Sequence, residues 1–287
     1  MTTELKGFDN HGKVYIEENS VKRVVFDNYK DSVHKIFTHY LKHLKFLGIV
    51  PTTIDKDTNL IHEKMVISYP FEWSPSMFKA ALQYNLNLLI QLEDHNITLK
   101  DALPENILFD NTKPIFVDFL SLVFKEDLHK ETWLNVNGRQ DLRYSIITQM
   151  LEPHFLIPYI LIFRGQYALA KYCLSTLACN VSNNAPTWKM VATWTRSVSF
   201  KKYFASLMLF IKIKTCIVQN RNSSSKFKDF LISLKEIIDG VLIIPEATGY
   251  ASYYVEKKED CQINESDLLS TKQRSVVEIL KKFNPKT

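Results

Sequence analysis

Asp101, Asn106 and Asp118 fall within the stretch LKDALPENILFDNTKPIFVDFL, Leu99 to Leu120. Their oxygen-bearing side chains come at intervals suited to a metal-nucleotide site. The spacing Asp-x-x-x-x-Asn fits a catalytic loop whose Asp meets a substrate hydroxyl while its Asn turns back onto Mg²⁺. Mg²⁺ is a hard ion that takes oxygen ligands at about 2 Å and keeps several waters, so one carboxylate and one amide beside nucleotide phosphates suffice. Between Asn106 and Asp118 the apolar triplets 107–109 and 115–117 flank the turn formers Asp110, Asn111 and Pro114. That pattern predicts a tight β-hairpin, which would bring Asn106 and Asp118 together. A purely structural reading of the same residues is also open, with Asp101 and Asn106 as turn formers and Asp118 as a cap.

The elements that must position these residues are legible on both sides. Residues 1–70 read as a small β-rich lobe with one helix. Strands are expected at 13–16 and 21–26 with a turn at 17–20, a helix at 31–46 that buries Val33, Phe37, Leu41 and Leu44, and a further strand at 65–69. Ser74 and Pro75 then open a second helix as N-cap and first-turn proline. Its broad apolar face carries Met77, Ala80, Ala81, Tyr84, Leu88, Leu89 and Leu92, and it delivers the chain to Asp101. Beyond Asp118 the pattern is chiefly helical, with recurrence at 143–150, 157–177, 189–195 and 201–218 and breaks at prolines and Asn/Ser clusters. Lys22 and Arg23 are adjacent on a predicted strand, so they face opposite sides and only one can point inward.

The order of these motifs resembles the protein-kinase-like fold, including its small-molecule branch of aminoglycoside and choline phosphotransferases. LKDALPEN stands where a protein kinase has His-Arg-Asp-Leu-Lys-Pro-Glu-Asn, and VDFL where it has Asp-Phe-Gly. Leu99 and Lys100 replace the His-Arg pair, and Leu120 replaces the glycine. With ISYPFEWSPSM at 67–77, the three blocks also resemble the kinase-like region that precedes the methyltransferase domain in some bacterial S-adenosylmethionine-dependent enzymes. The resemblance implies an α+β, two-lobe fold with a reduced β-rich N-lobe, 1–70, and a larger helical C-lobe, 71–244. It implies Asp101 as the catalytic residue, Asn106 and Asp118 as Mg²⁺ ligands, and an adenine-binding hinge near Tyr69 and Phe71. Of the two candidate phosphate-binding cations, Lys22 and Arg23, it favours Arg23, whose guanidinium can fork two phosphate oxygens; a solvated strand charge is the other reading. Gly7 and Gly12 occupy the outer places of a Gly-x-Gly-x-x-Gly loop, but Asp9 holds the middle one, where a carboxylate would repel phosphate.

Composition narrows the classes. A chain of 287 residues with 46% hydrophobic content can bury a substantial core, and a net charge of +5 with dispersed Lys and Arg does not imply nucleic-acid binding. Cys173, Cys179, Cys216 and Cys261 form no zinc or Cys-x-x-Cys spacing, as expected of free thiols in a reducing compartment. No apolar run approaches the ~20 residues of a spanning helix, so a cytoplasmic protein without membrane contact is expected. His39 and His43 have the i, i+4 spacing of a two-histidine metal site, but no third ligand is evident, and they read as surface histidines.

From about residue 245 the chain becomes polar and aromatic, with Tyr250, Tyr253 and Tyr254, and then basic and amphipathic from Ser270 to Phe283. In class I methyltransferases such a helix often stands just before the first strand of the cofactor-binding sheet. With 7 glycines in the whole chain, no S-adenosylmethionine site is expected within it. Two functions remain open. One is ATP- and Mg²⁺-dependent phosphotransfer to a small-molecule or protein hydroxyl. The other is a catalytically inactive, pseudokinase-type module that organises a methyltransferase partner.

Overall fold

The computed structural model describes residues 3–5, 11–130, 142–178, 188–192, 198–221 and 227–242. The chain divides into two compact units, Met1–Ile243 and Ile244–Thr287, and all described residues belong to the first. The tyrosines and amphipathic helix expected after residue 245 lie outside the described residues, as do Gly7 and Asp9.

The fold is α+β. Five short strands, β1 (Thr3–Leu5), β2 (Gly12–Ile16), β3 (Ser20–Val25), β4 (Thr52–Ile54) and β5 (Leu60–Glu63), form an antiparallel sheet in the order β1-β2-β3-β5-β4. The register sets Arg23 of β3 between Val14 and Leu60. The strand expected at 65–69 is absent. The ladder ends at Glu63, and Val66, Ile67 and Tyr69 stand exposed with no strand alongside to pair them.

Between β3 and β4 runs α1 (Lys30–His39), continued by a π-helical turn over Tyr40–Leu44. The buried stripe keeps the ordinary spacing of 3.6 residues per turn: Val33, Ile36, Phe37, Tyr40 and Leu44 lie inside, while Leu41, expected in the core, falls at the edge of the stripe and is turned out to solvent.

The helix α2 (Pro75–Glu93) starts where Ser74 and Pro75 predict, with Ser74 Oγ accepting the Met77 N–H. It packs against α4 (Ile157–Arg164) and α8 (Phe227–Asp239). Around it lie α3 (Leu142–Ser145), α5 (Tyr167–Ala178), α6 (Trp188–Ala192) and α7 (Phe200–Arg221). The predicted 157–177 helix is broken at Gly165, whose φ of 89° closes α4 with a left-handed cap. α8 has no counterpart among the sequence expectations, although Phe227, Phe230, Leu231, Leu234 and Ile238 all point into the core at helical spacing. A π-helical segment, Ile146–Leu156, joins α3 to α4 through Pro153. The run Ile146–Arg164 is 19 residues, long and apolar enough to cross a membrane by length and composition, which revises the expectation that no such run exists. It is 67% buried as a core helix among its neighbours.

Two further small sheets are β6 (Ile97–Leu99) with β9 (Leu122–Phe124), and the hairpin of β7 (Ile107–Asp110) and β8 (Lys113–Phe116). The hairpin forms as its turn residues predict, with Asn111 at φ 54°. Tyr84 of α2 fastens it. Its hydroxyl lies 2.7 Å from the Gly48 carbonyl oxygen, to which it donates, and 3.2 Å from the Phe116 N–H, which it accepts. Burial raises the Tyr84 phenol to a pKa far above its ordinary value, so it is a fixed hydroxyl at any working pH. Tyr84→Phe is expected to cost about 1–2 kcal/mol in urea unfolding, because the Gly48 carbonyl loses a buried donor, with helix content by circular dichroism unchanged.

Candidate functional site

The hairpin β7–β8 has its open end at Asn106 and Val117, where the Val117 N–H donates to the Asn106 carbonyl at 2.9 Å. Asp118 follows at once, with φ −90° and ψ 79°, and the chain turns through Phe119–Ser121 in a single 3₁₀ turn. The Ser121 N–H closes that turn on the Asp118 carbonyl at 3.0 Å. Ser121 Oγ, fully buried, accepts the Asp101 N–H at 2.8 Å. Asn106 Nδ2 in turn donates to the Asp101 carbonyl at 2.8 Å. Asp101, Asn106 and Asp118 are therefore parts of one hydrogen-bonded loop system. The Asp101 side chain is exposed and the other two are half-buried.

The small sheet meets this loop through Arg23. Its guanidinium Nη1 lies 2.7 Å from Asp118 Oδ1, with both side chains about one-fifth exposed. Lys22 points to the other face of β3 and pairs with Asp55 Oδ2 at 2.9 Å. The Asp55 carboxyl also accepts from Asn59 and from the Asp57 N–H, and these bonds together with Lys22 hold it well below the usual carboxylate range. Of the two adjacent cations, it is thus Arg23 that faces Asp118.

Tyr69 and Phe71 form a stacked pair, ring centres 5.4 Å apart and planes within 3°. The Tyr69 N–H donates to Glu72 Oε2 and its carbonyl accepts the Glu72 N–H, both at 2.8 Å. At this residue the predicted hinge is closed on its own 3₁₀ turn. Trp73 is buried, and its indole N–H reaches Ser68 Oγ at 3.1 Å.

Several residues that matter here carry little signal in the sequence. Asn85, fully buried on the apolar face of α2, donates to the Ala102 carbonyl at 3.2 Å. A polar residue one helical turn from Ala81 and Leu89 was its only trace. Lys100 is buried, with Nζ 2.9 Å from His11 Nε2. Both line a cavity of about 360 Å³ between α1, β9 and the Phe119–Ser121 turn, which Arg23, Asn106 and Asp118 do not line. His62 of β5 sits behind Arg23. The Thr52 hydroxyl donates to the Val50 carbonyl at 2.8 Å and lies 3.0 Å from His62 Nδ1, which assigns the ring hydrogen to Nδ1.

The fold and site together define an α+β protein in which an arginine from a small antiparallel sheet closes onto an aspartate at the base of a hairpin in a mainly helical body. No family model matches the chain. Over 56 residues it is 41% identical to Nodulation protein NoeA of Rhizobium meliloti (strain 1021), a stretch that is 20% of this chain and 12% of that protein's length.

Two outcomes test the electrostatics of the site. In a double-mutant cycle of Arg23→Met with Asp118→Asn, the pair should show a coupling of about 1–3 kcal/mol in unfolding free energy, because both charges are partly desolvated. The second concerns His62, where burial and then the Arg23 charge push the imidazole pKa down to about 3. Between that value and the ordinary ~6.5 the unfolded chain binds a proton that the folded one does not. Stability should therefore fall as pH is lowered through this window. Urea titrations from roughly pH 6 to 4 should give a slope steeper for wild type than for His62→Gln by up to about 1.4 kcal/mol per pH unit.

Proposed function

We propose that this chain is a kinase-like, two-lobe nucleotide-binding module associated with an S-adenosylmethionine-dependent methyltransferase, acting in the cytoplasm of a bacterium. In this reading Mg²⁺·ATP sits at Asn106 and Asp118 with Arg23 on its phosphates, and Asp101 receives the proton of an acceptor hydroxyl. The single observation that carries it is the Arg23–Asp118 ion pair, which joins the strand cation to the loop carboxylate across 95 residues of sequence. A guanidinium that meets a carboxylate through Nη1 can fork phosphate oxygens in the same place, freeing Asp118 for the metal. The exposed Asp101 carboxylate is accessible to an acceptor. The similar stretch in a rhizobial nodulation protein is in keeping with a bacterial setting.

A second reading, the non-catalytic module that orders a methyltransferase partner, draws on the same ion pair and on one more bond. Arg23 already neutralises Asp118, and the Asn106 amide is already held by the Asp101 carbonyl. The Asp118 charge is met without a metal, as a scaffold requires, and the Asn106 amide is fixed in the loop through its Nδ2.

Melting with ATP and Mg²⁺ separates the two. At a ligand concentration ~100 times the dissociation constant, binding to the folded state alone adds about 2.7 kcal/mol of stability. Asp118→Asn should abolish the Mg²⁺-dependent part of the shift. Asp101→Asn should keep the shift and lose any phosphotransfer. Wild type that shows no shift with any nucleotide and divalent ion would remove the nucleotide-binding reading and leave the scaffold.

A further inference from the structure

We infer that the outer face of α7 docks onto the surface of an anionic lipid bilayer, lying along it without spanning it. The inference concerns different elements from the Arg23–Asp118 site and does not depend on it. It departs from the expectation of no membrane contact and starts from the distribution of charge. Lys and Arg, 36 in all, are dispersed along the chain, but the 31 acidic residues are not. From Pro153 to Lys228 the sequence holds eleven Lys or Arg and no Asp or Glu. Because the whole chain carries only +5, everything outside that stretch is net acidic. Segregation of this kind marks a surface for an anionic partner.

Within the basic stretch, α7 is apolar on two opposite faces. One buries Leu209, Ile213, Cys216 and Ile217 on the side packed against α4 and α8. The other carries Phe200, Phe204, Met208, Ile211 and Val218, all exposed, Phe200 at 73% and Val218 at 64%. Their spacing of three, four or seven residues sets them in one line along the helix, about 27 Å long at ~1.5 Å per residue. The rings of Phe200 and Phe204 stack with centres 6.4 Å apart. At Met208 the line borders a groove of about 420 Å³, which is also lined by Ile237, Val241 and Leu242 at the end of α8. A helix in a soluble body needs one apolar face, and a second one of this length marks an interaction surface.

The charges beside the line select the partner. At 3.6 residues per turn, Lys201 and Lys212 fall on one flank, both exposed, and Lys214 falls on the other, paired with Glu152 at 3.7 Å. No acidic residue lies on α7. A second copy of the helix laid on the first would set lysines against lysines. Duplex nucleic acid presents phosphates to a protein but no apolar surface to cover five large side chains. An anionic bilayer supplies both. Acyl chains receive the phenylalanines and Met208, while the lysine stems run along the apolar face and their ammonium groups stay among the headgroups. Each lysine held at such a surface strengthens binding roughly fivefold.

The test mixes the full chain with vesicles of phosphatidylcholine containing about one phosphatidylserine in three lipids, and with vesicles of phosphatidylcholine alone, and reads the bound fraction by co-sedimentation. Wild type should bind the anionic vesicles at least tenfold more tightly, and added salt should weaken that binding. Phe200→Ser with Phe204→Ser should weaken it at least tenfold, and so should Lys201→Gln with Lys212→Gln. All four side chains are exposed, so both double variants should melt like wild type, which separates loss of the docking face from loss of the fold. Phe46→Ser removes a side chain that is 94% exposed outside the basic stretch, and it should leave binding unaltered. Equal binding to both kinds of vesicle, or a change of less than tenfold in either double variant, would overturn the inference. So would a lipid-free dimer that the phenylalanine variant breaks, which gives the face to a second copy. Duplex DNA bound more tightly than the anionic vesicles, with loss on the lysine changes and none on the phenylalanine changes, would overturn it in favour of nucleic acid.

Discussion

Arg23 reaches from an inner strand of a small sheet to Asp118, and much of the surrounding order follows from holding that carboxylate in place. Asp118 ends the hairpin and starts the 3₁₀ turn whose closing bond runs from Ser121 back to its carbonyl. That turn sets Phe119 between α1 and the sheet, with its ring centre 6.3 Å from Phe37, 5.2 Å from Tyr40 and 6.3 Å from His62. The aromatic contacts dock α1, and the ion pair keeps the turn facing the sheet. Neither charge is fully solvated, so removing one partner leaves the other partly buried without the ion pair.

Below the loop the balance is less favourable. Asn85 Oδ1, both carboxylate oxygens of Glu105 and His154 Nδ1 are buried without a hydrogen bond. Glu105 and His154 lie near each other, at 3.7 Å, too far for a good hydrogen bond but close enough to attract once the imidazole is protonated. Glu105 sits immediately before Asn106, so this weakness lies directly beneath the loop that carries the polar trio. Stability is supplied from either side, by Tyr84 fastening the hairpin and by Met150 Sδ accepting the Ala102 N–H at 3.4 Å.

Elements with short-range causes were legible in the residues alone. Asp110 and Asn111 between two apolar triplets specify a hairpin, because the left-handed turn they tolerate reverses the chain wherever it lies. Ser74-Pro75 starts α2 for an equally short-range reason, and adjacency alone forces Lys22 and Arg23 to opposite faces of β3. Other features depend on partners far along the chain. Which cation faces Asp118 was settled by Asp55 capturing Lys22 on the other face. Tyr40 is buried in place of Leu41 because it is the one that meets Phe119 of the distant turn. The strand expected at 65–69 failed because propensity cannot supply a neighbour to pair with. The His95 ring packs against His39 and His43 only because α2 ends beside α1. Ser121, Asn85 and His62 escaped notice for the same reason: a buried polar side chain is defined by the group it satisfies, and that group lies 20, 17 or 10 residues away.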